Sequence, residues 1–244
     1  MKRAMTRLLT LMLAALMAAC ATTEGAAPAD FSLTGGGSVT SAPAPGALAS
    51  GTAATDRALY SDLIRGMIAQ GNYYAALAHI QEQQRAQGST PELRYLEAET
   101  RRQLGQVAES ERLYRGLLRS GVAGQAYHGL GLLYATRDLG RSIDYLKEAV
   151  ARQPTDAQAR NDLGYALTRA GRYGPALAEL ATAVELDPES DKARNNLVLL
   201  LILSGDEPGV KRIVRETGMT ADALTRLRKQ AQGLKQRGNA VRGG

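Results

Sequence analysis

Few side chains in this 244-residue chain have the type and placement to do chemistry, and the first is a thiol. Cys20 is the single cysteine, and it closes the segment MKRAMTRLLTLMLAALMAAC. Lys2, Arg3 and Arg7 form a positive n-region, Leu8 to Leu16 is apolar except for Thr10, and Ala18 and Ala19 are small enough for a signal-peptidase pocket. That is the layout of a secretory signal peptide over residues 1–19. The apolar run is shorter than the roughly 20 residues that span a bilayer. A thiol directly after such a run is either the working first residue of a mature chain or an incidental Cys20 behind an ordinary signal peptide. The remaining candidates are sparse. His79 and His128 are the only histidines and fall in different helical segments. No Gly-rich loop follows a strand pattern. Asp144, Glu148 and Glu179 read as solvated faces or i,i+4 partners of basic residues, and Glu97 and Glu99 stand out no further. Catalysis has little to stand on here: no catalytic residue, no metal ligand set and no cofactor is expected beyond a covalent lipid on Cys20.

The elements that would position any site come next. Three of the 30 Lys and Arg leave with residues 1–19 and none of the 24 Asp and Glu does, so the mature chain carries +3 rather than +6. That balance gives a nucleic-acid partner little support. With Cys20 the single cysteine, no disulfide can form within one chain, so the fold depends on its core. Residues 20–55 are almost entirely Ala, Gly, Ser, Thr and Pro, with Gly35-Gly36-Gly37 and Ala42-Pro43-Ala44-Pro45 among them. Such a segment has too little apolar surface to offset the entropy of ordering. It is expected to be a disordered tether with an r.m.s. span of roughly 30–35 Å.

From about residue 56 the pattern becomes helical and repeats. Residues 159–190 carry Leu163-Gly164, Leu167, Gly171, Tyr173, Ala176, Leu180, Ala183 and Pro188. ARNDLG at Ala159 returns as ARNNLV at Ala193, and Gly71-x-Tyr73-x-x-Ala76 returns at Gly171. The preceding unit has Leu130-Gly131, Tyr134, Ser142, Leu146, Ala149 and Pro154, with one residue missing from its inter-helix turn. A weaker unit runs through Ala98, Gly105, Ser110, Tyr114 and Leu117, and Val210, Val214 and Thr217 make the last second helix degenerate. This spacing of small and large residues resembles the tetratricopeptide-repeat (TPR) pattern over 34 positions. The resemblance implies an all-α, right-handed superhelix of about five helix pairs. The domain would occupy 56–236, with a C-terminal capping helix over Thr220 to Leu234 and a flexible basic tail at 237–244. Small residues let paired helices approach closely, and stacking buries what one pair alone cannot.

In the TPR family the groove is lined by first helices, at positions flanking the Leu-Gly pair. Carried onto this chain, those positions are Gln158, Asn161, Asp162, Tyr165, Thr168 and Arg169, then Lys192, Asn195, Asn196, Leu199 and Ile202. The amides would pair with an extended peptide, and Tyr165 and Leu199 would add apolar contact; Leu199 and Ile202 could instead meet the capping helix. The basic carboxylate clamp of chaperone-binding TPR domains is not matched, since His128, Gly129 and Leu132 stand at such positions. From Gly209 to Gly244 there are nine Lys and Arg against two Asp and Glu, either a solvated cap and tail or a patch for an acidic partner or anionic lipid.

The run ending at Cys20 also resembles the bacterial lipobox, where the thiol is diacylated and the chain is cut just before it; Met17 replaces the usual Leu. Signal, tether and TPR stack together are similar to the TadD family, the TPR lipoproteins of tight-adherence (Flp, type IVc) pilus systems. Residues 128–197 carry that similarity, in HGLGLLYATRDLGRSIDYLKEAV, ARNDLGYALTRAGRYGPALAELATAVELDP and ARNNL. The resemblance implies a non-enzymatic, pilotin-like periplasmic scaffold, lipid-anchored in the outer membrane. Its protein partner would be the outer-membrane secretin or another pilus assembly component. Ala21 after Cys20, in place of Asp, favours the outer membrane. An adaptor for peptidoglycan hydrolases is the second expectation. An envelope hydrolase carrying a TPR region is a third, opposed by the lack of a further segment long enough for a catalytic domain.

Overall fold

A computed structural model describes the backbone of residues 45–242 and the side chains of 55–236. Cys20, the signal segment and most of the expected tether lie outside the described residues, as do the side chains of the 237–244 tail. Among the described residues there are eleven helices: α1 (Pro45–Ala69), α2 (Tyr73–Gln87), α3 (Pro91–Gln103), α4 (Val107–Arg115), α5 (Ala123–Tyr134), α6 (Leu139–Arg152), α7 (Ala157–Arg169), α8 (Tyr173–Leu186), α9 (Asp191–Ser204), α10 (Glu207–Thr217) and α11 (Ala221–Arg242). They stack as five antiparallel pairs, each second helix of a pair also leaning on the next first helix, and α11 closes the stack against α9. This is the TPR solenoid that the repeat register predicts.

The helix ends follow from local chemistry. Thr90, Asp138, Asp156, Ser190 and Asp206 each accept a hydrogen bond from a main-chain N–H in the first turn that follows. Each satisfies one of the orphan donors of a helix start. Gly171 (φ 72°) and Gly205 (φ 83°) supply the left-handed residue that turns a first helix into a second. The turn between α5 and α6, one residue short in the repeat register, has no such glycine; Asp138 caps α6 there instead, 3.0 Å from the Arg141 N–H.

Close approach within a pair rests on missing side chains. A Cβ on Gly164 would lie 2.6 Å from Cγ of Leu180, and one on Gly131 2.5 Å from Cγ of Leu146. The largest core cluster runs from Ile143 to Ala231 and joins the last three pairs to the cap. Two smaller clusters lie under the first three pairs. Val210, which takes the place of Ala176 in the degenerate second helix, is nonetheless buried.

Two boundaries differ from expectation. Helix α1 starts at Pro45, ahead of residue 56, because proline suits the first turn and alanine is the best helix former, so this segment can be helical without a core pattern. The α11 backbone continues to Arg242, past the expected end of the cap at Leu234.

Candidate functional site

The first helices of successive pairs share one face of the stack, and the residues expected to line a groove lie there. Their roles divide sharply. Asn161 and Asp162 on α7 are buried, 3% and 8% exposed. Asp162 sits between two neighbouring repeats: its Oδ2 is 2.9 Å from His128 Nε2 on α5, and its Oδ1 is 2.7 Å from Lys192 Nζ on α9. The Asn161 amide donates to the same Oδ1 at 3.0 Å, while its own Oδ1 accepts from the Asn196 amide on α9 at 2.8 Å. Burial would push the Asp162 carboxyl up; the hydrogen bond from His128 and the charge and hydrogen bond of Lys192 outweigh it and hold the group below its ordinary value. An ionised carboxylate only accepts, so Nε2 of His128 carries the hydrogen.

These contacts repeat a rule. His128 and Asn161 occupy the same repeat position, and each reaches the next first helix at the position one residue further on, Asp162 and Asn196. The separations are 34 and 35 residues. They form a polar spine that ties three repeats together. Asn161, Asp162 and Asn196 therefore have their side-chain partners within the fold and are not the free amides and acid expected to meet a peptide.

Other expected groove residues also have structural work. Arg169 donates to the Ala135 carbonyl at 2.7 Å, at the C-terminal end of α5, where a cation suits the helix dipole. Thr168 donates to the Gly164 carbonyl at 2.8 Å. Leu199 is fully buried; it belongs to the core and offers no groove contact. Tyr165 and Ile202 pack half-buried against the same core. That leaves Gln158 and Lys192 exposed, and Asn195 half-buried.

Two cavities open beside them. One of about 190 Å³ lies between the starts of α7 and α9, lined by Gln158, Asn161, Ser190 and Lys192 among others. A larger one, about 530 Å³, lies between α9 and α11 and is walled by Lys192, Asn195 and Asn196 on one side and Ala223, Arg226, Leu227 and Gln230 on the other. Arg226 and Gln230 were not anticipated. Their signal is the helical spacing of Ala223, Leu227 and Gln230 within the expected capping helix over Thr220 to Leu234.

A second polar cluster, largely buried, lies within the second pair, between α3 and α4. The Tyr114 hydroxyl donates to Glu99 Oε2 at 2.7 Å, and Arg102 pairs with the same carboxylate. Burial would raise the Glu99 carboxyl, but the hydrogen bond and charge of Arg102, with Tyr114 and Gln103, bring it below the ordinary range. Burial, then Glu99, push the Tyr114 hydroxyl well up, and burial with Glu99 and Glu92 raises Tyr95 to about 12. The sequence singled out none of this for Glu99. Glu179 likewise pairs across helices, with Arg160 at 2.7 Å, rather than along its own helix. Among the described residues no group of His, Cys, Asp and Glu is arranged to hold a metal ion, and no helix is long and apolar enough to cross a membrane.

The repeat register, the paired helices and the small residues at their contacts are those of a TPR-type α-solenoid fold. The family model described as "Tetratricopeptide repeat" matches residues 137–216. The chain is similar to a TPR repeat-containing protein of Pseudomonas aeruginosa, 34% identical over 168 residues, which cover 68% of this chain and 66% of that relative, just under two thirds of its length. Among solved structures it resembles a thermophilic TPR protein of Thermus thermophilus (22% identity, TM-score 0.52, 72% of this chain and 97% of that one). It also resembles MamA of Desulfovibrio magneticus (21% identity, TM-score 0.50, 72% and 94%). At these identities the structures speak for the fold.

Proposed function

We propose that this chain is a non-enzymatic protein-interaction scaffold, lipid-anchored through Cys20 in the outer membrane and facing the periplasm. Its partner is the outer-membrane secretin or another assembly component of a tight-adherence pilus, which it helps to localise or assemble as a pilotin does. The observation that carries the reading is the order of parts in one chain: a lipobox-like run ending at Cys20, a Gly- and Ala-rich spacer, then a TPR stack. Acyl chains on the cysteine would hold the protein at the membrane far more firmly than one chain alone. The spacer would let the stack search for its partner, and the accessible side of the first helices, at Gln158, Lys192 and Asn195, would meet it.

The test is crosslinking in cells. A photo-reactive residue at Gln158 or Asn195, followed by mass spectrometry of the adducts, should recover a secretin. Recovery of peptidoglycan hydrolases would replace the pilus role with that of an adaptor, and recovery of no protein from either position would remove the scaffold reading.

A further inference from the structure

The polar spine stops at the cap, and the way it stops points to a ligand. In each rung a first-helix side chain pairs with the next first helix. Asn195 on α9 stands where His128 and Asn161 stand in the two earlier repeats, so it should reach the helix that follows. That helix is α11, which does not follow the repeat. Asn195 has no side-chain partner, and the space beside it is the 530 Å³ cavity. Across the cavity Arg226 and Gln230 have no hydrogen-bonding or ionic partner among the described residues either; Asp222, one turn before Arg226, forms no ion pair with it. Lys192 at the rim is 60% exposed while held by Asp162. Unpaired donors and acceptors thus gather at one recess, with a free guanidinium and an ammonium on opposite walls and no free carboxylate among the lining residues.

We infer that the α9–α11 cavity takes an acidic side chain of an extended peptide segment of the partner, clamped between Arg226 and Lys192, with Asn195 and Gln230 pairing its main chain. The inference rests on the scaffold reading above and names the chemistry of the partner at that site. Arginine suits a carboxylate because its fork can donate twice in one plane. The recess favours a peptide over a membrane surface, since Asn195 and Gln230 add amide donors and acceptors that a peptide main chain can pair.

The test uses the full-length chain in detergent and fluorescence anisotropy. A fluorescein-labelled peptide of alternating Glu and Ala is the probe, and the same peptide with Gln for Glu is the control. The Glu peptide should bind at least about tenfold more tightly than the Gln peptide. Arg226→Gln should weaken it about tenfold, Gln230→Glu should weaken it by adding a like charge to the recess, and Lys229→Gln should change nothing. Equal binding of the two peptides, no binding of either, or equal effects of Arg226→Gln and Lys229→Gln would each overturn the assignment. So would Arg226-dependent binding to phosphatidylglycerol vesicles without peptide binding, which would identify an anionic surface as the ligand. In cells, photo-reactive residues at Gln230 and Gln158 separate this claim from the broader one. Adducts at both support it; adducts at Gln158 alone overturn the cavity and leave the scaffold standing; adducts at neither overturn both.

Discussion

Removing the Asp162 carboxylate should unfold the stack at a markedly lower temperature, and the structure sets the size of the effect. Asp162 is 8% exposed and accepts from three donors. In Asp162→Ala the Lys192 ammonium, 60% exposed, returns to water at little cost. His128 and Asn161 cannot: both are buried, and each keeps a donor with nothing to receive it. An orphaned buried donor costs about 1–3 kcal/mol, and two of them agree with the roughly 3–5 kcal/mol seen when one member of a buried pair is deleted. Relief of the carboxylate's own desolvation brings the net toward about 3 kcal/mol. At about 2–4 °C per kcal/mol for a chain of this size, the midpoint should fall by about 6–12 °C. Lys192→Ala should cost about 1 kcal/mol or less. The assay is thermal unfolding followed by far-ultraviolet circular dichroism. Its pH arm carries a fixed sign. The folded Asp162 carboxyl titrates below its unfolded value of about 3.9, so its contribution is fully present above that pH and is lost as pH falls through the folded value. The gap between wild type and Asp162→Ala should therefore close as the pH falls below about 4. An Asp162→Ala midpoint within about 2 °C of wild type, or an equal loss in Lys192→Ala, would refute the account of the spine.

Gly129→Ala places a Cβ on the buried Tyr114 ring, whose hydroxyl is tied to Glu99, so the ring cannot yield freely. Overpacking of this kind costs about 1–3 kcal/mol and should lower the urea midpoint. Gly171→Ala and Gly66→Ala should move stability in opposite directions. Gly171 has φ 72° and should lose about 1–2 kcal/mol, whereas Gly66 lies inside α1 with open space around it and should gain about 0.5–1 kcal/mol; the same denaturant series measures both. Cys20→Ser should abolish incorporation of an alkyne palmitate and release the protein from outer-membrane fractions, and equal labelling of the two proteins would contradict acylation at Cys20.

The fold was legible because the features that build it are local or recur at a constant interval. Asp156 and Ser190 announce helix starts, and Gly171 and Gly205 announce the turns that follow. Gly164 and Leu180 mark where two helices touch. Even the weak second unit formed where Ala98, Ser110 and Tyr114 placed it, with the Ser110 hydroxyl donating to the Ala98 carbonyl at 2.9 Å. The candidate site was legible only in part. Repeat register puts Asn161 and Asn195 at equivalent places on one face, but it does not say what lies opposite each. For Asn161 it is another repeat, which supplies Asn196. For Asn195 it is α11, a helix outside the pattern, which leaves the asparagine open. Glu99 escaped notice for a related reason: its partner Tyr114 comes from a second helix, across a contact that no spacing within α3 reveals.

That contrast bears on how a repeat stack acquires a binding site. A polar side chain on a first helix can do one of two things, and the same residue type serves both. Where the next repeat offers a complement, as Asp162 does for His128, the group is satisfied within the fold, and a ligand could engage it only by breaking a bond already made. Such groups set the register between repeats and hold the curvature of the surface. Where the repeat ends, the complement is missing, and the group stays solvated at the edge of a recess. There a partner can supply the missing bond without displacing an internal one, so its net gain is larger for the same contact. Binding should thus concentrate at the end of the spine, where α9 meets a helix of different sequence, rather than spread evenly along the first helices. Alanine substitution along α5, α7, α9 and α11 would show this directly. Changes at His128 and Asn161 should lower stability with little effect on the affinity of the folded protein, and changes at Asn195 and Arg226 should do the reverse.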